Sequence, residues 1–190
     1  MKETIISILD DSIRVKDSFI RNNLDLIIKG VDILATCIAS GHKILLFGNG
    51  GSAADAQHIA AEFVNRFKIE RPPLAAIALT TDTSILTSIG NDYHFNEVFS
   101  KQIKAIGKKD DVALGISTSG NSKNVVLAFE EARSMELITM GFTGEGGGKL
   151  AELSDILFDV PSKITARIQE THITIGHILC ELVDNKLFQS

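Results

Sequence analysis

The sequence predicts an α/β fold: a doubly wound, five-stranded parallel sheet flanked by helices, with two leading N-terminal helices. Near-continuous apolar segments alternate with helical segments after residue 41, which is typical of a parallel sheet covered on both faces. The first 40 residues instead carry apolar side chains at helical spacing. We therefore expect one domain over 1–190, with a helical pair (1–40) used in oligomerisation and an α/β sandwich (41–190).

The predicted elements follow from this periodicity. The leading helices are expected over 4–22 and 24–39, and Gly41 is placed to end the second one in a left-handed conformation. Strands are predicted at 43–47, 74–79, 111–116, 136–141 and 155–160. Further helices are predicted at about 52–67, 83–89, 94–106, 122–135 and 164–188. Ligands of such sheets bind beyond the carboxyl ends of the strands, so we expect the chemistry in the loops after residues 47, 79 and 116.

Composition excludes several classes of protein. The net charge of −5 argues against a nucleic-acid-binding surface, and no apolar segment approaches the length of a membrane span or signal peptide. The two cysteines, Cys37 and Cys180, lie in apolar helical patterns, so buried thiols are expected rather than a disulfide framework. These features predict a cytoplasmic protein without a nucleic-acid or membrane partner.

The most informative segment joins the first predicted strand to the helix after it. Residues 48–51 read Gly-Asn-Gly-Gly, a turn in which backbone amides can approach a ligand closely. The helix that follows directs its N-terminal amides and positive dipole end at this turn, which favours an anion. His58 and Glu62 stand four residues apart and share one helical face, as expected for a base or a metal pair.

A second loop, residues 117–122, reads Ser-Thr-Ser-Gly-Asn-Ser between a strand and a helix. Hydroxyls and a glycine at a helix N-terminus suit a phosphate group. The alternative is a plain strand–helix turn in which Ser122 caps the helix. Because one hydroxyl would suffice for a cap, the excess of hydroxyls favours phosphate binding.

Residues 48–53 also match the G-x-G-x-x-A pattern of dinucleotide sites. Such a site needs an acidic residue at the end of the next strand, whereas the predicted strand 74–79 is followed by Thr-Thr-Asp. Nicotinamide binding is therefore disfavoured.

The last predicted helix carries further polar candidates, Gln169 and His177. They are eight residues apart, about 12 Å of helical rise, so both could only just reach one metal ion unless different subunits supply them. Asn91 and Asp92 could bind a polyol or simply form a turn at a helix end.

Three motifs, residues 47–58, 115–122 and 166–172, occur together and in order. With them the chain resembles the sugar-isomerase (SIS) fold, and more closely the bacterial phosphoheptose isomerases, over nearly its whole length. The resemblance implies conversion of sedoheptulose 7-phosphate into glycero-manno-heptose 7-phosphate through an enediol or enediolate. It also implies a cytoplasmic homotetramer whose product feeds heptose for lipopolysaccharide core or capsule.

The resemblance further implies a Zn²⁺ site and a substrate site. The implied zinc ligands are His58, Glu62, Gln169 and His177. The implied substrate contacts are Asn49, Gly50, Gly51, Glu62, Asn91, Asp92, Ser117, Thr118, Ser119, Ser122 and Gln169. Ketose–aldose isomerisation needs a base at carbon and an acid at the carbonyl oxygen, and we assign these roles to Glu62 and His177.

Two positions depart from the family pattern: Ala166 replaces an aspartate of some members, and His94 replaces a glycine of many. A non-catalytic relative, the SIS protein that binds the bacterial replication initiator, is the alternative, because residues 65–72 and 183–188 are similar to it. That relative lacks acid–base groups at the positions of Glu62 and His177, so their presence here favours the enzyme.

Overall fold

Five strands form one all-parallel sheet in this computed structural model, which describes residues 1–189. The strands are β1 (Ile44–Gly48), β2 (Ala76–Ala78), β3 (Val112–Ser117), β4 (Ile138–Gly144) and β5 (Ile156–Val160). Their order in the sheet is β2-β1-β3-β4-β5. The predicted fold class is thus confirmed, and all five strands lie where the apolar segments indicated.

Helices precede the sheet and connect its strands. They are α1 (Lys2–Asn22), α2 (Leu24–Ala39), α3 (Gly51–Val64), α4 (Thr83–Asp92), α5 (Ser100–Ile106), α6 (Lys123–Ser134), α7 (Leu150–Leu153) and α8 (Thr165–Phe188). Gly41 has a φ of 79° just beyond α2, as expected.

Three helical expectations need correction. The helix predicted at 52–67 ends at Val64, because Asn65 leaves helical geometry with a ψ of −96°. The helix predicted at 94–106 is divided into a 3-10 turn (Phe95–Glu97) and α5, because the ring of His94 accepts a hydrogen bond from the amide of Asn96 and caps the turn. The four-residue α7 was not predicted, since one helical turn is too short to show periodicity.

The sheet is covered on both faces. Ile44 and Leu46 of β1 contribute to a core with α1, α2, α3 and α8, whereas Leu45 and Phe47 contribute to a second core with α4 to α7. Cys37 and Cys180 are free, buried thiols in the first core, which confirms their predicted role. Within residues 1–189, no helix is long and apolar enough to cross a membrane.

The leading helices pack on α8 but leave apolar surface uncovered. On α2, Ile27, Val31 and Leu34 are buried within the chain, so its own fold covers much of this helix. On α1, by contrast, a group of large apolar side chains is more than half exposed. This group comprises Ile5, Ile6, Ile8, Leu9 and Ile13.

The strand order places a topological switch beside β1, which has β2 on one side and β3 on the other. In open α/β sheets ligands bind at such a switch, beyond the carboxyl ends of the strands. The glycine turn after β1 and the hydroxyl loop after β3 therefore flank the expected position of a site.

Candidate active site

The glycine turn holds the start of α3 close to α8. Gly50 has a φ of 55°, a conformation that favours glycine. A side chain at Gly51 would begin 2.6 Å from Nε2 of Gln169, so the missing Cβ leaves the space that this amide occupies. The structure thus places Gln169 at the first residue of α3.

Two turns further along α3, a cluster forms between this helix and α8. Nε2 of His58 lies 3.3 Å from Oε1 of Glu62 and 3.4 Å from Nε2 of His177. One ligand atom from each of the three residues falls within 4.8 Å of the others. The i, i+4 pair expected from the sequence therefore meets His177, which is 119 residues from His58 along the chain.

The environment of His177 favours its neutral form. Burial lowers the pKa of this imidazole, the neighbouring His58 lowers it further, and Glu62 partly offsets both effects. The ring of Phe67 stacks on His177 with 5.3 Å between the centroids and an interplanar angle of 24°. A neutral imidazole can bind a metal ion or exchange a proton near neutral pH.

The cluster has the chemistry of a zinc site. Two imidazoles and one carboxylate are the ligand set of several catalytic zinc sites, which keep a fourth position open for substrate or water. The Gln169 side chain of α8 lies against Gly51, which precedes His58 on α3 by seven residues, or about 10 Å of helical rise. His58, Glu62 and His177 thus form the compact group, while Gln169 lies towards the glycine turn.

The hydroxyl loop is ordered by its own polar groups and by a glycine segment. Oγ of Ser117 lies 3.0 Å from Oγ of Ser122, and the Ser122 side chain makes no capping bond to α6. Ser122 thus occupies the N-cap position of α6, as the alternative expected, but its hydroxyl group does not cap the helix. Gly120 has a φ of 63° and packs directly against Gly147. The hydroxyl loop therefore packs on residues 146–148, which were not among the predicted site residues. Thr118 is half-buried and Ser119 is exposed at its tip.

A pair of amides joins the glycine turn to the first turn of α6, which follows the hydroxyl loop. Asn49 and Asn124 exchange two side-chain hydrogen bonds of 2.9 and 2.8 Å. Asn124 was missed because it lies 75 residues from its partner and has no distinctive local pattern. The glycine turn is consequently held at a fixed distance from the first turn of α6.

The remaining candidates lie on the surface. Asn91 donates a 2.8 Å hydrogen bond to Asp92 at the end of α4, and both side chains are exposed. Ala166 is exposed in the first turn of α8.

Comparisons with known proteins agree with this architecture. The SIS domain family matches residues 9–144. A phosphoheptose isomerase of Nitratidesulfovibrio vulgaris is 59% identical over 93% of this chain and 85% of the relative. The chain belongs to the phosphoheptose isomerases.

Other phosphoheptose isomerases extend the match to both ends of the chain. That of Thermodesulfovibrio yellowstonii is 54% identical over 100% of this chain and 94% of its own length. The solved phosphoheptose isomerase of Neisseria gonorrhoeae has a TM-score of 0.91 and 44% identity, covering 97% of this chain and 98% of that one. The chain is accordingly an isomerase that acts on a sugar phosphate, which favours the enzyme over the non-catalytic alternative.

Proposed function

We propose that this enzyme converts D-sedoheptulose 7-phosphate into D-glycero-D-manno-heptose 7-phosphate. The observation that carries the proposal is the cluster of His58, Glu62 and His177 between α3 and α8, in a chain whose relatives are phosphoheptose isomerases. The reaction is the first step towards nucleotide-activated heptose for lipopolysaccharide core or capsule, and it takes place in the cytoplasm.

The proton transfer is assigned to two members of the cluster. Glu62 removes a proton from the carbon next to the carbonyl group, and His177 serves the substrate oxygens as the acid, so that an enediol or enediolate lies between ketose and aldose. The half-buried position of Glu62, with His58 at 3.3 Å, supports a carboxylate that is accessible to a ligand.

His58, Glu62 and His177 would hold Zn²⁺, together with Gln169 from the side of the glycine turn. A zinc ion in this position would polarise the substrate carbonyl as a Lewis acid. The donor set fits the ion, because the three nearest side chains offer two imidazole nitrogens and a carboxylate oxygen within 4.8 Å.

The substrate phosphate is assigned to the hydroxyl loop, through Ser117, Thr118, Ser119 and Ser122. The hydroxyl groups of the loop and the N-terminus of α6 provide donors and a favourable dipole for an anion. Holding the phosphate there fixes the reacting carbons beside Glu62. Further contacts are proposed from Asn49, Gly50, Gly51, Gln169, Asn91 and Asp92.

The single domain is proposed to assemble as a homotetramer with active sites at the subunit boundaries. The exposed apolar side chains of α1 support this assembly, since so large an apolar group on one helix is normally covered by another surface. Closed symmetric assembly is the usual outcome for such proteins. Light scattering of active enzyme at micromolar concentration tests it, and a fully active monomer would contradict it.

The function is tested by adding sedoheptulose 7-phosphate to the purified enzyme, with and without a zinc chelator. Formation of the heptose 7-phosphate is expected, with loss of turnover after chelation and recovery when Zn²⁺ is restored. Absence of turnover with zinc present would refute the proposed function, whereas turnover that resists chelation would refute only the role of zinc.

A further inference from the structure

The chain segment that follows α3 contains an arginine that no part of the proposed mechanism uses. The side chain of Arg71 is 1% exposed, and its Nε donates a 2.8 Å hydrogen bond to Oδ1 of Asp184, whose side chain is 3% exposed. An arginine and an aspartate are seldom buried so completely without a specific reason. The pair lies between α8 and the C-terminal end of α3.

The other donors of Arg71 reach the end of α3. Nη2 bonds the carbonyl oxygen of Glu62 at 2.8 Å, and Nη1 bonds those of Phe63 at 2.7 Å and Asn65 at 3.1 Å. The last carbonyl groups of a helix have no partners within the helix, and basic side chains can satisfy them. Arg71 therefore caps the last turn of α3.

This cap matters for the active site because Glu62 belongs to the last turn. The helix ends at Val64, two residues beyond the carboxylate assigned as the base. Terminal helical turns fray, so without the cap the backbone that carries the Glu62 side chain would be free to depart from helical geometry. The main chain of Glu62 is held by Arg71 while its side chain faces His58.

The same arginine also connects the two helices that supply the cluster. Asp184 lies seven residues beyond His177 on α8, two helical turns further along the same face. A planar guanidinium group can bind a carboxylate and several carbonyl groups at fixed angles, which an ammonium group cannot do. Arg71 thus fixes the end of α3 relative to the helix that carries His177.

We propose that Arg71, held by Asp184, is a positioning residue that keeps Glu62 and His177 at the separation needed for metal binding and proton transfer. The inference rests on the proposed function, because it assigns the cluster the roles given there. It predicts that the arginine acts through the geometry of the cluster and does not contact the substrate.

The test combines three variants of the full-length enzyme. Arg71→Lys keeps the charge beside Asp184 but removes the planar set of donors. The double variant Arg71→Met/Asp184→Leu replaces the buried pair with apolar side chains, an exchange that many folds tolerate. Lys68→Met is the matched control, because Lys68 makes a 2.8 Å ion pair with Glu181 between the same segment and the same helix but lies on the surface.

Each variant is compared with the wild type in Zn²⁺ affinity, by chelator competition, and in kcat and KM for the sugar phosphate. Thermal unfolding and circular dichroism show whether the variant is folded. We expect Arg71→Lys and the double variant to lose about 10–100-fold in Zn²⁺ affinity and in kcat, as is usual when residues that orient metal ligands are removed. KM should change less, because the phosphate site is on another loop, and Lys68→Met should match the wild type.

A purely structural role would lower the unfolding temperature and leave the zinc affinity and kcat of the folded protein unchanged. Wild-type zinc affinity and kcat in either folded Arg71 variant would therefore overturn the inference. A wild-type enzyme that binds zinc without turning over sedoheptulose 7-phosphate would refute the proposed function alone, because the Zn²⁺ affinity of the Arg71 variants would still test the positioning role. If the wild type turned over the substrate without zinc, the kcat of the Arg71 variants alone would test the inference. A wild type that neither binds zinc nor turns over sedoheptulose 7-phosphate would overturn both the inference and the proposed function.

Discussion

Two regions of the molecule, the amino end of β3 and the face of α3 towards α8, hold their carboxylates in opposite ways. At the amino ends of the strands, the Asp111 side chain is 1% exposed and accepts hydrogen bonds from the amides of Lys43 and Lys108 and from the Lys43 ammonium group. On α3, which begins at the carboxyl end of β1, the carboxylate of Glu62 is half-buried and has His58 as its neighbour at 3.3 Å. Asp111 is satisfied within the fold, whereas Glu62 keeps capacity for a ligand.

This difference separates stability from function. A buried carboxylate whose partners are all within the chain contributes to folding, and its loss should reduce stability without changing the chemistry. A partly exposed carboxylate in an imidazole cluster contributes little to folding, and its loss should impair the chemistry without reducing stability. Substitutions of the two kinds of carboxylate therefore test the comparison.

The largest effect is expected from Glu62→Gln. The amide keeps the size of the side chain but cannot accept a proton from carbon, so turnover should fall by roughly 10²–10⁴-fold, the usual contribution of general acid–base catalysis. The unfolding temperature should hardly change. Steady-state kinetics with thermal unfolding measure both quantities, and near-normal turnover would remove Glu62 from the mechanism.

Asp111→Ala should show the opposite behaviour. It leaves two backbone amides and the Lys43 ammonium group without their acceptor, so the free energy of unfolding should fall by about 3 kcal/mol. Denaturant titration measures this loss. The folded fraction should keep its kcat and metal content, and a selective loss of kcat would show that the two regions are coupled.

The same contrast holds for two histidines of α8, His172 in the core and the half-buried His177 in the cluster. His172 is fully buried, with Nε2 2.9 Å from the carbonyl oxygen of Thr143, and burial lowers its pKa from 6.5 to about 4. Below pH 6.5 the unfolded chain binds a proton at this residue that the folded chain does not bind until about pH 4. Stability should therefore fall by about 3 kcal/mol as the pH decreases through that interval.

This prediction is checked by denaturant titration between pH 7 and pH 4 of the wild type and of His172→Gln. The variant keeps a donor for the Thr143 carbonyl group but has no titrating ring. A parallel loss of stability in both proteins would show that other groups cause the acid sensitivity.

The smallest effect is expected from Ser119→Ala in the hydroxyl loop. Removing one donor to a charged phosphate should raise KM for the phosphorylated sugar by about tenfold, equivalent to about 1.4 kcal/mol. The zinc content should not change. A non-phosphorylated heptulose serves as the control substrate, and if it proves as good a substrate as the phosphate ester, the assignment of residues 117–122 fails.

Sequence predicted the architecture well because its signals are local. An apolar segment such as Ile44–Gly48 identifies a buried strand by itself, and a Gly-Asn-Gly-Gly segment before a helical pattern identifies a strand–helix turn. The i, i+4 spacing also predicted that His58 and Glu62 share a face.

What sequence did not predict depends on contacts between distant residues. Arg71 caps the last turn of α3 and bonds Asp184, which is 113 positions away along the chain. Asn124 pairs with Asn49 from 75 positions away. Neither residue belongs to a periodic pattern. The places where Gln169 and His177 approach α3 likewise follow from how α8 packs on that helix, which the spacing of the two residues did not determine.

The amide pair between Asn49 and Asn124 also limits how this site can change over generations. Each amide supplies the donor and the acceptor that the other one needs, so replacing either residue alone leaves the half-buried Asn49 or the buried Asn124 unmatched. A lineage can pass from this arrangement to another most easily by exchanging both positions together. The two positions should therefore vary jointly among descendants of this sequence, and a graft of the glycine turn onto another sheet should carry Asn124 with it.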